Sequence, residues 1–308
     1  MMALQKGRGF VVFSLVLAGV CFCGRGDGLV PPPRDIGLVL SGGGAKGAYE
    51  VGVWQAICKA GLDKRIGAIS GTSVGSLCAV LFSSVGDPGK CESIWMGAMA
   101  NAFEVNIGSI LAMALANGPA LEKYANDDGL MSKGALRKEI DANLPVWPPR
   151  TPMSVYATTA EAMTLRRSAF RLDTLSRKDM LDRVIASCAL PVLFSPQTID
   201  GSRHVDGGLT DNRPVAPIVD NDSENAIKTV IVVYLVHEPG GRVVQSEIGS
   251  RRLVEIIPSE DISLWVKNLD FAAIDNRPET ARRLIGLGRE DARMELVKAG
   301  LVGKINSP

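Results

Sequence analysis

Ser73 stands in Gly71-Thr72-Ser73-Val74-Gly75, a GxSxG pentapeptide. An apolar stretch, Ile66 to Ser70, precedes it, and a run with helical spacing, Ser73 to Ser84, follows. A sharp strand-to-helix turn lifts a serine hydroxyl off a sheet, and flanking glycines let strand and helix pass closely. The helix N-terminus behind the serine favours negative charge, which suits a developing oxyanion. A tight turn capped by serine uses the same letters. The strand before and the helix after make the nucleophile the better reading.

A nucleophile of this kind needs donors and a base. Gly42-Gly43-Gly44-Ala45-Lys46-Gly47 fits GxGxxG between an apolar run and a helical one. The pattern also serves dinucleotide phosphates. Here the next strand lacks the closing acid that a ribose requires and runs into the serine turn instead. Consecutive glycines expose backbone N–H groups without side chains in the way, as an oxyanion hole requires. Lys46 has two readings, a partner for a phosphate or a solvated first-turn side chain. For the base, the chain offers only two histidines, His204 and His237. One lies in an expected hairpin and the other ends a strong strand, so each reads first as structural. Asp206-Gly207-Gly208 is the stronger candidate: an acid at a glycine turn can point into a site, and partial desolvation raises its basicity. Most Asp-Gly pairs are plain turns, so the triplet alone decides nothing.

The elements that must position these residues are legible. Ile36 to Leu40 is a continuous apolar run, as in a buried parallel strand. Ala45 to Ala60 carries Ala48, Val51, Trp54 and Ile57 at helical spacing, and Gly61 ends it. Strand, glycine turn, helix, strand, tight turn, helix is the start of a three-layer α/β/α fold with a mostly parallel central sheet. Cys91 to Lys123 is rich in Ala and Met and predicts one or two helices over the sheet, as core or as an apolar cover. Thr151–Ala160 and Thr164–Leu172 predict a strand pair, Arg177–Cys188 a helix, and Thr198–Val205 a hairpin turning at Asp200-Gly201. Thr229–Val236 is the clearest buried strand, and the chain beyond Pro258 is charged and helical.

The 308 residues carry a formal net charge of +1, which gives no basic face for nucleic acid and no strong pull toward an anionic membrane. At the N-terminus, Lys6 and Arg8 precede a short apolar run and small residues around Cys21, Cys23 and Gly24. This predicts an export signal over 1–24 and a Gly/Pro-rich linker over 25–33. The expected destination is secreted, periplasmic or a membrane-anchored lipoprotein, although Val20 and Phe22 are poor neighbours for a lipidated cysteine. A catalytic core follows over 34–220, and 221–308 completes the same domain with a strand and helices. Cys58, Cys78, Cys91 and Cys188 permit disulfides in an exported protein, but Cys58 and Cys78 read as core. No CxxC pair or His/Cys cluster predicts a metal site.

Three motifs in order resemble the patatin-like phospholipase family. They are LVLSGGGAKGAYEVGVWQAI (Leu38 to Ile57), GTSVG (Gly71 to Gly75), and ASCALPVLFSP with HVDGGLTDNRPV (Ala186 to Val215). The resemblance implies Ser73 as nucleophile and Asp206 as its sole partner in a Ser–Asp dyad. It also implies an oxyanion hole from the backbone of Gly42, Gly43 and Gly44. Lys46, Gly47, Gly71, Gly75, Gly207 and Gly208 then support the motifs. The implied reaction is hydrolysis of carboxylic esters in phospholipids, lysophospholipids or acylglycerols, at a membrane or micelle surface, with no cofactor and no metal. A catalytically silent lipid-binding or host-interaction module on the same scaffold is the alternative.

Overall fold

The computed structural model describes residues 32–102, 132–144, 146–149, 152–191, 193–237, 247–265 and 277–303. Residues 33–308 form one compact unit. The export segment and most of the linker expected from the sequence lie outside the described residues, as does the part of the Cys91–Lys123 run beyond residue 102.

A nine-stranded, mostly parallel sheet flanked by helices organises the unit as a three-layer α/β/α fold. At its centre is β1 (Ile36–Leu40), buried over its whole length. Residues on its two faces belong to different cores. Leu38 and Leu40 pack with α1 (Ala48–Lys59) and α2 (Val74–Val85), whereas Val39 packs with Ile218 of the short α6 (Ala216–Asp220). A strand covered on both sides reads as an unbroken apolar run, and IGLVL does. Parallel to β1 run β2 (Ile66–Thr72) and β7 (Thr229–Val233), with β3 (Ser154–Glu161) beyond β2 and β9 (Arg251–Ile256) beyond β7.

The other strands are antiparallel: β4 (Arg167–Arg171) and β6 (Ser202–Asp206) on β3, β5 (Gln197–Ile199) on β6, and β8 (Glu247–Ile248) on β9. The β5–β6 hairpin turns at Asp200-Gly201 with positive φ at both, as a two-residue turn between right-twisted strands requires. Three further helices lie between strands: α3 (Pro88–Ala102), α4 (Lys133–Asn143) and α5 (Arg177–Ser187). A long C-terminal α7 (Pro278–Lys298) crosses α1 at close range. A Cβ on Gly52 would sit 2.0 Å from the Ile285 carbonyl oxygen, and one on Gly288 would sit 2.1 Å from that of Tyr49.

Within the Cys91–Lys123 run, two residues of α3 belong to the core. Cys91 and Trp95 on α3 are buried, and Trp95 meets Gly47 at the start of α1. The four described cysteines, Cys58, Cys78, Cys91 and Cys188, are free thiols.

Candidate active site

The register of β3 brings two distant parts of the chain together. β2 ends with Thr72 opposite Thr158, and β6 ends with Asp206 opposite Thr159. β4 overlaps both partners' stretches of β3, so it takes the opposite edge, and β2 and β6 share the other. Two strands therefore meet end to end on adjacent rungs of β3. Ser73 leaves one end and Asp206 closes the other.

Ser73 adopts φ 54°, ψ −126°, a left-handed conformation that costs a non-glycine residue free energy, and it caps α2. Packing and hydrogen bonds hold it there. Its N–H donates to the Ser187 hydroxyl at 2.9 Å, and that hydroxyl donates to the Thr158 carbonyl at 2.6 Å. Its carbonyl accepts the Ser76 N–H at 2.9 Å and the Ser76 hydroxyl at 2.6 Å. A Cβ on Gly71 would lie 2.1 Å from the Gly75 carbonyl oxygen, and one on Gly75 would lie 2.5 Å from that of Leu40. Only glycine allows strand and helix this near at both positions.

The Asp206 carboxyl is buried. Its Oδ1 accepts the Gly208 N–H at 2.7 Å, and its own N–H donates to the Ala189 carbonyl at 2.9 Å. Burial pushes its pKa up to about 6, against opposing hydrogen bonds from the Ser73 hydroxyl and the Gly208 N–H. Desolvation wins, as expected for a carboxyl sealed beside an apolar cleft. A side chain at Gly207 would strike the Thr158 carbonyl at 2.2 Å, so the chain turns off β6 at this glycine.

The glycine loop lies on the third side. Gly42 and Asn212 form a reciprocal clamp: the Gly42 N–H donates to the Asn212 carbonyl at 3.3 Å, and Asn212 Nδ2 donates to the Gly42 carbonyl at 3.1 Å. The Gly42 N–H is thus already engaged, which separates it from the other two glycines of the expected trio. Gly44 takes φ 59°. The sequence does not single out Asn212, although it falls within HVDGGLTDNRPV, nor does it single out Ser187. Neither has a spacing signature of its own, because each acts through a contact made only in the folded chain.

Gly42, Gly43, Gly44, Lys46, Ser73, Asp206, Gly208 and Asn212 all line one cleft of about 390 Å³. Its other wall is apolar and includes Leu77, Leu136, Leu193 and Phe194. Burial lowers the Lys46 pKa, and the Asp261 carboxylate partly offsets this. Neither histidine lines the cleft. His204 is buried, with Nδ1 2.9 Å from the Thr159 hydroxyl and its ring edge-on to Phe170. His237 Nδ1 is 2.8 Å from the Pro258 carbonyl oxygen.

A mostly parallel α/β sheet with a serine on a strained turn, a buried carboxyl beside it and a glycine loop opposite defines an α/β protein of the serine-elbow class. Comparison with known proteins narrows this. The model of the patatin-like phospholipase family matches residues 38–219, and the chain belongs to that family, whose members generally act as lipid-ester hydrolases. It is 31% identical over 183 residues to the lysophospholipase nte1 of Aspergillus niger, a match covering 59% of this chain and 11% of that protein. It is 26% identical over 192 residues to an uncharacterized NTE family protein of Mycobacterium tuberculosis, covering 62% of this chain and 29% of that one. The chain thus spans about a tenth of the length of the NTE1-type relatives. Among solved structures it is similar to VipD from Legionella pneumophila, at a TM-score of 0.49 and 16% identity, covering 87% of this chain and 68% of that one. One expectation is corrected. The curated relatives are lysophospholipases of the NTE1 type, against which the reading of an exported protein or lipoprotein does not stand.

Proposed function

We propose that the protein is a serine lipid acyl hydrolase of the phospholipase A or lysophospholipase type, working through a Ser73–Asp206 dyad. The observation that carries this is the pairing of a serine on a strained turn with a buried carboxyl raised to about 6. A carboxylate with that pKa is ionised at neutral pH yet basic enough to hold a proton in transit. Asp206 takes the Ser73 Oγ proton as Oγ attacks the ester carbonyl carbon. The oxyanion that forms sits against the N–H groups of Gly43 and Gly44, with Gly42 held by Asn212. Asp206 returns the proton to the departing alcohol, leaving an acyl ester on Ser73. Water then gives a proton to Asp206 and its oxygen to the acyl carbon, and the proton passes back to Ser73 Oγ as the fatty acid leaves. Lys46 offers charge to a phosphate on the departing side.

Contact with a membrane or micelle surface fits the distribution of exposed apolar side chains. Leu190 and Leu209 border the cleft itself. Met163 and Leu165 follow β3, Val236 follows β7 and Leu264 follows β9, all at the sheet edge where Ser73 emerges. Among the described residues only Met294 stands elsewhere.

Turnover of a chromogenic ester by wild type and by Ser73→Ala tests the reading, together with labelling by a fluorophosphonate. The expected result is labelling of Ser73 in wild type and a loss of turnover by several orders of magnitude in the variant. Near-wild-type turnover by Ser73→Ala removes the mechanism.

A further inference from the structure

The strand that delivers Ser73 carries two hydroxyls where burial alone would favour apolar side chains. On β2, Ser70 pairs with Val39 of β1 on one side and Tyr156 of β3 on the other. Its side chain therefore faces the core that those residues share with Ile218 of α6. Thr72, two residues on, faces the same way. Both are fully buried. A hydroxyl taken out of water costs free energy unless it is hydrogen-bonded. Both of these are, and to one short segment. The Thr72 hydroxyl donates to the Asp211 carbonyl at 2.8 Å, and the Ser70 hydroxyl donates to the Pro214 carbonyl at 2.5 Å. The two carbonyls bracket Asn212.

Residues 207–214 leave the end of β6 and run largely in solvent, with Gly208, Leu209, Thr210, Asn212 and Arg213 all exposed. Exposed backbone of this kind moves readily unless it is tied down. The ion pair of Arg167 with Asp211 is itself partly exposed and holds weakly. Asn212 grips Gly42 through both bonds of the clamp. A Cβ on Gly42 would lie 2.4 Å from Asn212 Oδ1 and 3.1 Å from the Ser73 Cβ, so the place of Asn212 governs how near the glycine loop comes to the nucleophile. Resting on the acyl-hydrolase reading, we propose that Thr72 and Ser70 are positioning residues for the oxyanion hole. Their hydroxyls fasten 211–214 to β2, and Asn212 passes that placement to Gly42 and so to the N–H groups of Gly43 and Gly44. Neither residue lines the cleft. One strand then sets both parties to the reaction: its end delivers Ser73, and its buried hydroxyls place the loop that receives the oxyanion. Thr72 stands directly before Ser73, so the two do not shift separately.

Two measurements on the full chain test this. The first is steady-state turnover of a soluble ester. Thr72→Val keeps the branched shape and removes the donor, and it should lower kcat by about tenfold or more with KM within about twofold. Thr72→Ser restores the donor and should hold kcat within about threefold of wild type. Added to Asn212→Ala, Thr72→Val should cost less than about a further threefold, because both act through one clamp. Ser70→Ala should lower kcat in the same manner, and it decides by the same criteria if Thr72→Val does not fold. The second measurement needs no turnover. The Gly42 and Asp211 amides are hydrogen-bonded in wild type. Their hydrogen exchange, read by NMR, should quicken by about tenfold or more in Thr72→Val and stay slow in Thr72→Ser, with β1 and β7 unchanged in both. If wild type cleaves no ester but Gly42 exchange follows the Thr72 hydroxyl, the hydrolase reading fails and the fastening stands. Unmoved Gly42 exchange in Thr72→Val overturns the proposal. So does an unchanged kcat, a rise in KM alone, a Thr72→Ser as slow as Thr72→Val, or losses that multiply in the double variant.

Discussion

Replacing Asp206 by Asn should destroy activity and at the same time stabilise the fold, in amounts that follow from one number. Burial raises the folded-state pKa from 3.8 to about 6. Every step in pKa is worth about 1.36 kcal/mol, so keeping this carboxylate ionised opposes folding by about 3 kcal/mol at pH 7. The sign follows from the direction of the shift. An acid whose folded pKa is raised favours the native state fully below its unfolded pKa, and that contribution is lost as pH rises through about 6. At pH 4 the folded carboxyl is protonated and the unfolded one only partly ionised, and the difference shrinks to under about 1 kcal/mol. Asn cannot ionise and can still accept the Gly208 N–H. Asp206→Asn should therefore raise Tm at pH 7.5 by on the order of 5 °C and barely move it at pH 4. The same number sets the pH profile of wild-type kcat/KM on a soluble ester. It should be half-maximal near pH 6 and fall tenfold per pH unit below, because only the ionised base accepts the Ser73 proton. Turnover by Asp206→Asn should be lower by roughly a hundredfold to ten-thousandfold. Calorimetry at two pH values and a pH–rate profile read both effects. A profile flat down to pH 4.5, or an Asn variant that keeps its activity, would refute the reasoning. So would an unchanged Tm at pH 7.5.

Other consequences are separable from this one. His204→Gln and His237→Gln should keep turnover of a soluble ester within several-fold, with His204→Gln lowering Tm, because its ring bonds Thr159 from a buried position. A collapse to the Ser73→Ala level in either folded variant would restore a histidine to the chemistry. Asn212→Ala frees the Gly42 carbonyl from its clamp and should lower kcat by roughly ten- to a hundredfold with little change in KM, as when an oxyanion donor is misplaced. A pure rise in KM would argue against that role. Met163→Asp with Leu165→Asp should weaken sedimentation with phosphatidylcholine vesicles and spare soluble-ester turnover, since both lie on the exposed β3–β4 turn. Unchanged vesicle binding would exclude this edge as the surface contact. Glu50→Gln should raise Tm by an amount that grows as pH rises from the ordinary carboxylate range. Burial holds that carboxyl well above its ordinary value, so as pH rises the unfolded state gains by ionising while the folded carboxyl still holds its proton.

What the sequence discloses and what it hides divide along a physical line. β1, β2 and β7 are buried almost end to end and appear as apolar runs, and the helices after the glycine turn and Ser73 carry apolar residues at helical spacing, so both are written directly in residue type. The hairpin before Asp206 is legible through Asp200-Gly201, because only a few residues accept positive φ at both turn positions. β9 escapes notice since its first residue is Arg251, a buried charge paired with Asp222 at 3.0 Å, so the strand does not read as apolar. α4 escapes for the opposite reason. Of its residues only Leu136 is fully buried, and a mostly polar helix gives no clear stripe. The two ends of the proposed dyad are conspicuous as motifs, while the strand that aligns them is not. Nothing in Thr158-Thr159 announces that one rung receives the serine turn and the next receives the aspartate.

That alignment also explains why the site tolerates so much unfavourable local structure. Ser73 sits in a left-handed conformation, Asp206 is desolvated, and Glu50 is a buried carboxyl near the glycine loop. Each opposes folding on its own. A loop could relax any of them by moving an ångström. Here relaxation would break paired strands, because Ser73 leaves β2 directly, Asp206 terminates β6, and Ser187 ties the Ser73 N–H to the same β3 carbonyl that excludes a side chain at Gly207. The strand register thus fixes the separation between hydroxyl and carboxylate. A change that shifts β3 register, even far from the cleft, should therefore reduce turnover more than it reduces stability. Thr159→Val tests this: it keeps the strand and its shape but removes the hydroxyl that bonds His204 on β6. Loss of turnover well beyond the loss expected from the measured fraction unfolded would tie the chemistry to the register. Loss in proportion to unfolding alone would make β3 a passive support.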